Sequence, residues 1–164
     1  MLDIIGYVFP NDLHIHWSLM IVLYPYITGL VAGAFVVSSL YHVFDIEALK
    51  PVSRFALMAS LAFLLVATWP LLLHLGHAFR GINVMITPNP TSAMAGFGYF
   101  YSGYMVILLF EVWLVFRKDI ITYARRSRGL KQTIYKILAL GVYDTSEKAL
   151  AIDAKVVKFL AAIG

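Results

Sequence analysis

The sequence predicts an all-α, polytopic membrane protein: three transmembrane helices and cytoplasmic amphipathic helices that form an incomplete helical bundle. Three observations lead to this fold class. The chain of 164 residues is 61% hydrophobic and 13% charged, whereas soluble domains carry about 25% charged residues. Its mean hydropathy is +0.81. Its apolar residues also fall into three long segments that polar stretches separate.

Each segment is long enough to cross a hydrocarbon layer of roughly 30 Å, which takes about 20 helical residues. We predict spans from Trp17 to about Tyr41, from Phe55 to about Phe79 and from about Ala95 to Phe116. The chain then divides into an outer N-terminal segment (1–16), a three-helix transmembrane region (17–117) and a cytoplasmic helical segment (118–164) that leads to the start of a fourth span.

Two kinds of residue shape the predicted spans. Pro25 and Pro70 interrupt the first and second spans and are expected to kink them, because proline has no N–H to donate to the preceding turn. Gly29 and Gly33 form a G-x-x-x-G motif, which is typical of a close approach by a neighbouring helix.

The distribution of the basic residues predicts the orientation. Lys50, Arg54 and ten residues after the third span lie on one side of the predicted membrane, and Arg80 alone lies on the other. Because cytoplasmic loops are enriched in Lys and Arg, we expect a multi-pass protein of the cytoplasmic (inner) membrane with its N-terminus outside. The basic run at 125–128 is then a topology determinant beside lipid headgroups, and nucleic acid is not an expected partner.

Two helices are predicted after the third span. The first has an apolar stripe typical of an amphipathic helix in the headgroup plane, formed by Leu130, Ile134, Ile137 and Leu138. Gly141 is a natural stop for it. Asp144 as cap, with Glu147 at the third position, predicts the start of the second helix. The apolar end at 159–164 resembles the first turns of a fourth span.

Five histidines leave several interpretations open. His74 and His77 share a face at the outer end of the second span, with His14 and His16 on the same side, whereas His42 is alone at the inner end. A b-type haem would pair His16 with His74 or His77, and a metal site would need Asp12 as well. Two further interpretations are interfacial histidines that are merely hydrated, and a pocket in which an imidazole exchanges a proton with a redox-active headgroup.

Other polar side chains also have two interpretations each. Arg80 is either a snorkelling arginine or an orienting donor to a carbonyl or a partner. Tyr101 and Tyr104 are part of an aromatic belt or present hydroxyls on one face. Glu111, the only carboxylate within a predicted span, is held protonated, pairs with Arg117, or serves as a proton relay.

Several stretches, taken in order, resemble the N-terminal part of the NrfD/polysulfide reductase membrane-subunit family, over about three spans. They are His16-Trp17 with Thr28-Gly29-x-x-x-Gly33; Leu73, Leu75, Gly76 and Arg80; Asn89-Pro90-Thr91-Ser92-Ala93-Met94; Leu138-Ala139-Leu140-Gly141-Val142 with Asp153 and Lys155; and the final Leu160-Ala161-Ala162-Ile163-Gly164. The resemblance runs from about Trp17 to Gly164.

The resemblance implies a membrane subunit of a respiratory oxidoreductase complex. Such a subunit binds quinone or quinol, menaquinone or a similar quinone, near the outer face and exchanges electrons with an outer iron–sulfur subunit. The resemblance implies a quinone pocket that comprises His16, Trp17, His74, His77, Arg80 and Ser92. Tyr101 and Tyr104, whose hydroxyls share one face, are further quinone-binding candidates. Glu111 is the candidate proton relay.

The remaining expectations concern cofactors and partners. The sequence has no cysteine, so no iron–sulfur cluster is expected in this chain, nor are haem or another metal. The chain is not expected to be catalytic alone, and a second membrane polypeptide is expected to supply the family's remaining helices unless the chain is truncated. A b-type haem membrane anchor, and a non-redox half-transporter or assembly subunit, remain the alternative functions.

Overall fold

The computed structural model describes residues 18–74, 78–87, 89, 91 and 93–164, and these contain helices and no strand. The helices are α1 (Leu19–His42), α2 (Lys50–Ala67), α3 (Trp69–His74), α4 (Asn83–Ile86), α5 (Ala93–Arg126), α6 (Leu130–Leu138) and α7 (Glu147–Ile163). Short 3-10 helices at Glu47–Leu49 and Ala78–Ile82 precede α2 and α4. The predicted all-α fold is confirmed.

Among the described residues, three segments are long and apolar enough to cross a membrane: Leu19–His42, Glu47–His74 and Gly96–Arg126. They confirm the three predicted spans, but some of them begin or end at other residues than predicted. The second span begins before Phe55, and the third helix does not end at Phe116. It continues to Arg126, and Arg117, the first charged residue after Phe116, is buried in a contact with α7.

The second span is broken where proline was expected to disturb it. Helix α2 ends at Ala67 and α3 begins at Trp69, because Pro70 has no N–H with which to continue the ladder. The Tyr101 hydroxyl of α5 donates a hydrogen bond to the Leu64 carbonyl in the last turn of α2. In contrast, α1 continues through Pro25 as one helix.

Helices α1, α2 and α5 pack around a small apolar core, which comprises Val31, Phe35, Leu57, Leu64 and Leu108. The Ser60 hydroxyl donates to the Val31 carbonyl at 3.1 Å and joins α2 to α1 within it. Large apolar side chains elsewhere on the spans point outward, including Phe55, Phe100 and Phe110. That distribution is expected for helices whose outer faces contact lipid.

Among the residues that the structure describes, no helix packs closely on the G-x-x-x-G motif, contrary to the prediction. A Cβ atom built on Gly29 or Gly33 would meet no other atom within 4 Å. Helix α1 uses the face of Val31 and Phe35 to pack against α2 and α5. The glycine face is therefore left open.

The amphipathic helix is confirmed as α6, and it packs along α5. The Trp113 indole N–H donates to the Leu138 carbonyl at 2.8 Å, and the rings of Tyr123 and Tyr135 stack at 5.4 Å. The predicted apolar stripe is exposed; Leu130, for example, is 79% exposed. It is thus available to the lipid interface.

The start of α7 corrects one prediction. Ser146, not Asp144, is the N-cap residue, and its hydroxyl accepts the Ala149 N–H at 3.3 Å. The Asp144 carboxylate instead accepts the Ser146 N–H at 2.8 Å and its hydroxyl at 3.2 Å. Hydrogen bonding from the Ser146 backbone, and then from its hydroxyl, lowers the pKa of Asp144 below its usual value.

Helix α7 runs back along α5 into the bundle. Asp153 contacts Arg117 of α5, and Lys158, farther along α7, pairs with Asp45 just after α1. At the end of α7, a Cβ on Gly164 would lie 2.9 Å from the Phe35 ring of α1 and 3.4 Å from the Tyr104 ring of α5. The end of α7 is therefore packed between α1 and α5.

Candidate functional site

The bundle has two polar ends with different chemistry. The His74 end is defined by Ser18, His74, Arg80 and the first turns of α5. The His42 end is defined by His42, the first turn of α2, the second half of α5 and the first half of α7.

At the His74 end, a hydrogen bond joins the start of α1 to the end of α3. The Ser18 hydroxyl lies 2.8 Å from Nδ1 of His74. The imidazole is exposed and its Nε2 is the ring nitrogen directed away from this contact. A ring held through one nitrogen can offer the other to a ligand as donor or acceptor.

Aromatic side chains line the adjacent part of the bundle. The Phe97 ring of α5 contacts the ring of Tyr24 edge-on at 5.7 Å and the ring of Tyr101 at 6.1 Å. One turn further, the Tyr104 ring packs against Phe35 at 5.6 Å. Tyr101 and Tyr104 are both half-buried, and both contribute to the core as well as to this end of the bundle.

The predicted quinone-binding residues are described in part. His74, Arg80, Tyr101 and Tyr104 are described, whereas His16, Trp17, His77 and Ser92 lie outside the described residues. Arg80 lies in the exposed 3-10 helix between α3 and α4. His74 and Tyr101 contact different elements, α1 and α2 respectively.

The described histidines do not form a haem pair. His42 is the last residue of α1, and His74 is at the opposite end of the bundle, where the second span ends. A haem bridging these two residues is excluded by that separation. Within the described part of the chain, no group of three or more His, Cys, Asp and Glu side chains could hold a metal ion.

Glu111 lies in the interior of the bundle, on α5, seven residues after Tyr104. Its side chain is fully buried, and neither carboxyl oxygen has a hydrogen-bond partner among the described residues. Of the three interpretations of Glu111, the pairing with Arg117 is contradicted, because Arg117 binds Asp153. A buried carboxyl without a counter-ion is costly to ionise.

The Arg117–Asp153 ion pair was missed by the sequence analysis. Nη1 of Arg117 lies 2.5 Å from Oδ1 of Asp153, with both side chains at most 10% exposed. Nη2 of Arg117 also donates to the Asp144 carbonyl at 2.6 Å. One signal was available: Asp153 shares the buried stripe of α7 with Val157 and Ala161 at intervals of four residues, which indicates a carboxylate with a buried partner.

The His42 end contains a cavity of about 490 Å³. It lies where the end of α1, the start of α2, the second half of α5 and the first half of α7 converge. Its lining combines charged and polar residues with apolar ones. The charged and polar lining residues are Tyr41, His42, Asp45, Lys50, Ser53, Arg54, Lys118, Asp119, Asp153, Lys155 and Lys158.

Comparison with known proteins identifies relatives over most of the chain. The family model described as polysulphide reductase, NrfD, matches residues 10–164. A selenate reductase subunit of Mesobacillus selenatarsenatis is 30% identical over 125 residues, which cover 76% of this chain and 29% of that protein.

A second relative comes from an archaeon. The Hdr-like menaquinol oxidoreductase integral membrane subunit of Archaeoglobus fulgidus is 34% identical over 91 residues, covering 56% of this chain and 23% of that protein. The chain thus spans less than a third of the length of each of these two relatives. No solved structure matches it significantly.

Proposed function

The chain belongs to the NrfD polysulphide reductase family, and from that premise we propose that it is a membrane subunit of a quinone-linked respiratory oxidoreductase. The match over residues 10–164 is the observation that carries this proposal. One relative is named as a menaquinol oxidoreductase subunit, which supports menaquinone or a similar quinone as the ligand. The three apolar spans agree with a ligand that arrives through the lipid phase.

The quinone headgroup is proposed to bind at the His74 end. The exposed imidazole of His74 is oriented by Ser18, and Arg80 supplies a cation nearby in sequence. Tyr101, Tyr104 and the residues outside the described part of the chain (His16, Trp17, His77 and Ser92) complete the proposed set. A histidine or tyrosine there would orient the quinone carbonyls and exchange the quinol proton.

Electron transfer would then need a partner. The sequence has no cysteine, and cysteine thiolates are the usual ligands of iron–sulfur clusters. We therefore propose that an iron–sulfur subunit docks at the His74 end and that further membrane helices come from another polypeptide or another part of the protein. When bound, the quinone supplies the two-electron chemistry; this chain's side chains position it.

The distribution of the basic residues supports one orientation of the chain in the membrane. The His42 end carries Lys50, Arg54 and the basic second half of α5, whereas Arg80 is the only basic residue between the second and third spans. By the positive-inside rule, we propose that the His42 end faces the cytoplasm. The quinone headgroup and the iron–sulfur partner would then be at the outer face.

Glu111 is proposed to relay protons between these ends. The rings of Phe35 on α1 and Tyr104 on α5 are in contact, and α1 and α5 run in the same direction. His42 and Glu111 each lie seven residues further along, about 10 Å at 1.5 Å per residue, so they are at matched depth. His42 also lines the cavity and its Nε2 has no partner among the described residues.

Substitution of His74 tests the quinone site. In the intact complex, His74→Ala is expected to raise the KM for a menaquinol analogue about tenfold, because a headgroup hydrogen bond contributes about 1.4 kcal/mol. Steady-state quinol oxidation measures this, with KM and kcat determined separately.

Tyr26→Phe is the control. Tyr26 lies in the half of α1 nearer to Ser18, is 64% exposed and is not a candidate ligand. It should leave both constants unchanged. If His74→Ala leaves KM and kcat unaltered in the intact complex, His74 is not part of the quinone site.

A further inference from the structure

We propose that the cavity at the His42 end binds the phosphate of an anionic phospholipid headgroup. This inference is independent of the quinone site. It rests on the cavity's charge balance, on its amphipathic lining and on its position at the ends of the spans.

The cavity carries an excess of positive charge. Its lining includes Lys50, Arg54, Lys118, Lys155 and Lys158 against the carboxylates of Asp45, Asp119 and Asp153. Five basic side chains face three acidic ones. An anion that entered would therefore be attracted by the uncompensated cations.

Each of the three carboxylates already has a basic partner. Asp45 pairs with Lys158 at 2.7 Å, Asp119 pairs with Arg54, and Asp153 pairs with Arg117, which is not part of the lining. These pairs join α7 to the end of α1, α2 to α5 and α5 to α7. The carboxylates thus hold the cavity's walls together and do not neutralise its remaining cations.

Lys118 and Lys155 are the remaining cations, because the fifth basic residue, Lys50, pairs with Glu47 outside the lining. They lie on α5 and α7 and are exposed, and their ammonium groups have no ion-pair or hydrogen-bond partner among the residues that the structure describes. Two ammonium groups from neighbouring helices match a phosphate, which has several acceptor oxygens. Neighbouring Arg54 is held by Asp119 and by the Phe116 ring at 4.3 Å.

The rest of the lining favours a lipid over soluble phosphate. Its apolar residues are Leu114, Val115, Leu150, Ala154 and Val157. A free phosphate has no apolar part to bury there, whereas a phospholipid has glycerol and acyl carbons next to its phosphate. The volume of about 490 Å³ also falls within the range of about 300–1,000 Å³ that is typical of ligand pockets.

The position of the cavity agrees with this ligand. The cavity lies where α1 ends and the second span begins, which is the depth of the headgroups in a bilayer. Basic pockets between transmembrane helices at this level are typical sites for anionic headgroups. A lipid bound here would bridge α5 and α7 through Lys118 and Lys155.

Native mass spectrometry of the full chain, in the complex from which it is purified, tests the proposal. The probes are dioleoylphosphatidylglycerol and, as a zwitterionic comparison, dioleoylphosphatidylcholine. Lys118→Gln with Lys155→Gln is expected to weaken phosphatidylglycerol binding about thirtyfold, since each lysine contributes about a factor of five near an anionic headgroup. Binding of phosphatidylcholine should be weak and unchanged.

Two variant pairs control for charge and for folding. Lys131→Gln with Lys136→Gln removes the same charge from α6, outside the cavity, and should change binding by less than about twofold. Lys118→Arg with Lys155→Arg retains the charge and should retain binding. An unchanged melting profile shows that each variant is folded.

Three results would overturn the proposal. Equal weakening by the α6 pair would indicate non-specific attraction to a basic surface. Equal binding of phosphatidylcholine would show that the headgroup charge is not recognised. Displacement of phosphatidylglycerol by excess inorganic phosphate, with the same dependence on Lys118 and Lys155, would assign the site to soluble phosphate.

Discussion

Asp153→Ala is expected to lower the free energy of unfolding by about 3–5 kcal/mol, because it leaves the buried Arg117 guanidinium without its counter-ion. The pair is at 2.5 Å and its two side chains are 8% and 10% exposed. It also joins α7 to α5, so its loss should release α7 from the bundle first. Unfolding of the chain in mixed micelles, followed by circular dichroism, measures the change.

The control is the exposed ion pair on the same helix. Lys158 and Asp45 are 2.7 Å apart but are 50% and 75% exposed, so Lys158→Gln should cost less than about 1 kcal/mol. Replacing both buried partners, with Arg117→Met and Asp153→Leu, should restore much of the lost stability because no charge is then left unpaired. An Asp153→Ala variant no less stable than Lys158→Gln would contradict this account of α7.

Glu111→Gln is expected to lower quinol-linked turnover of the complex about 100-fold, which is within the usual contribution of a positioned proton-transfer group. Glutamine has nearly the same shape but cannot carry the proton. The fully buried side chain has no hydrogen-bond partner among the described residues, so the amide breaks no contact and stability should change little. Steady-state turnover and thermal unfolding, measured together, separate the two effects.

Asp119→Asn serves as the matched control. Asp119 is a carboxylate on the same helix, α5, and its side chain is 46% exposed in its pair with Arg54. It should leave turnover unchanged. Full turnover in Glu111→Gln would exclude Glu111 as a relay.

The spans could be predicted from the sequence because local properties determine them. Hydropathy located all three, and the missing N–H of Pro70 located the break after Ala67. The exposed stripe of α6 followed from helical periodicity. The end of α5 at Arg126 could not be predicted in the same way, because the apolar run that hydropathy detects ends at Phe116.

Contacts between distant elements account for most of what the sequence did not predict. Arg117 and Asp153 are 36 positions apart. The sequence does not indicate that they pair with each other, because they meet only when α7 folds back along α5. The glycine motif of α1 predicted a close helix contact, but the structure leaves a Cβ at Gly29 and Gly33 in open space. The cavity at the His42 end likewise forms only when four helices converge.

Candidate residues for the site could be named from the sequence, but the contacts between them could not be predicted. The contact between Ser18 and His74 at 2.8 Å joins α1 to α3, and no spacing in the sequence indicates it. The hydrogen bond that the Tyr101 hydroxyl donates to the Leu64 carbonyl likewise depends on the break in the second span. These contacts determine which polar atoms remain for a ligand.

Photolabelling with a light-activated menaquinone analogue tests the central claim most directly. We expect the intact complex to be labelled within residues 69–104 of this chain, at the His74 end, and excess unlabelled menaquinone to abolish the labelling. Labelling confined to the His42 end, or labelling that menaquinone does not reduce, would contradict a quinone site at the His74 end.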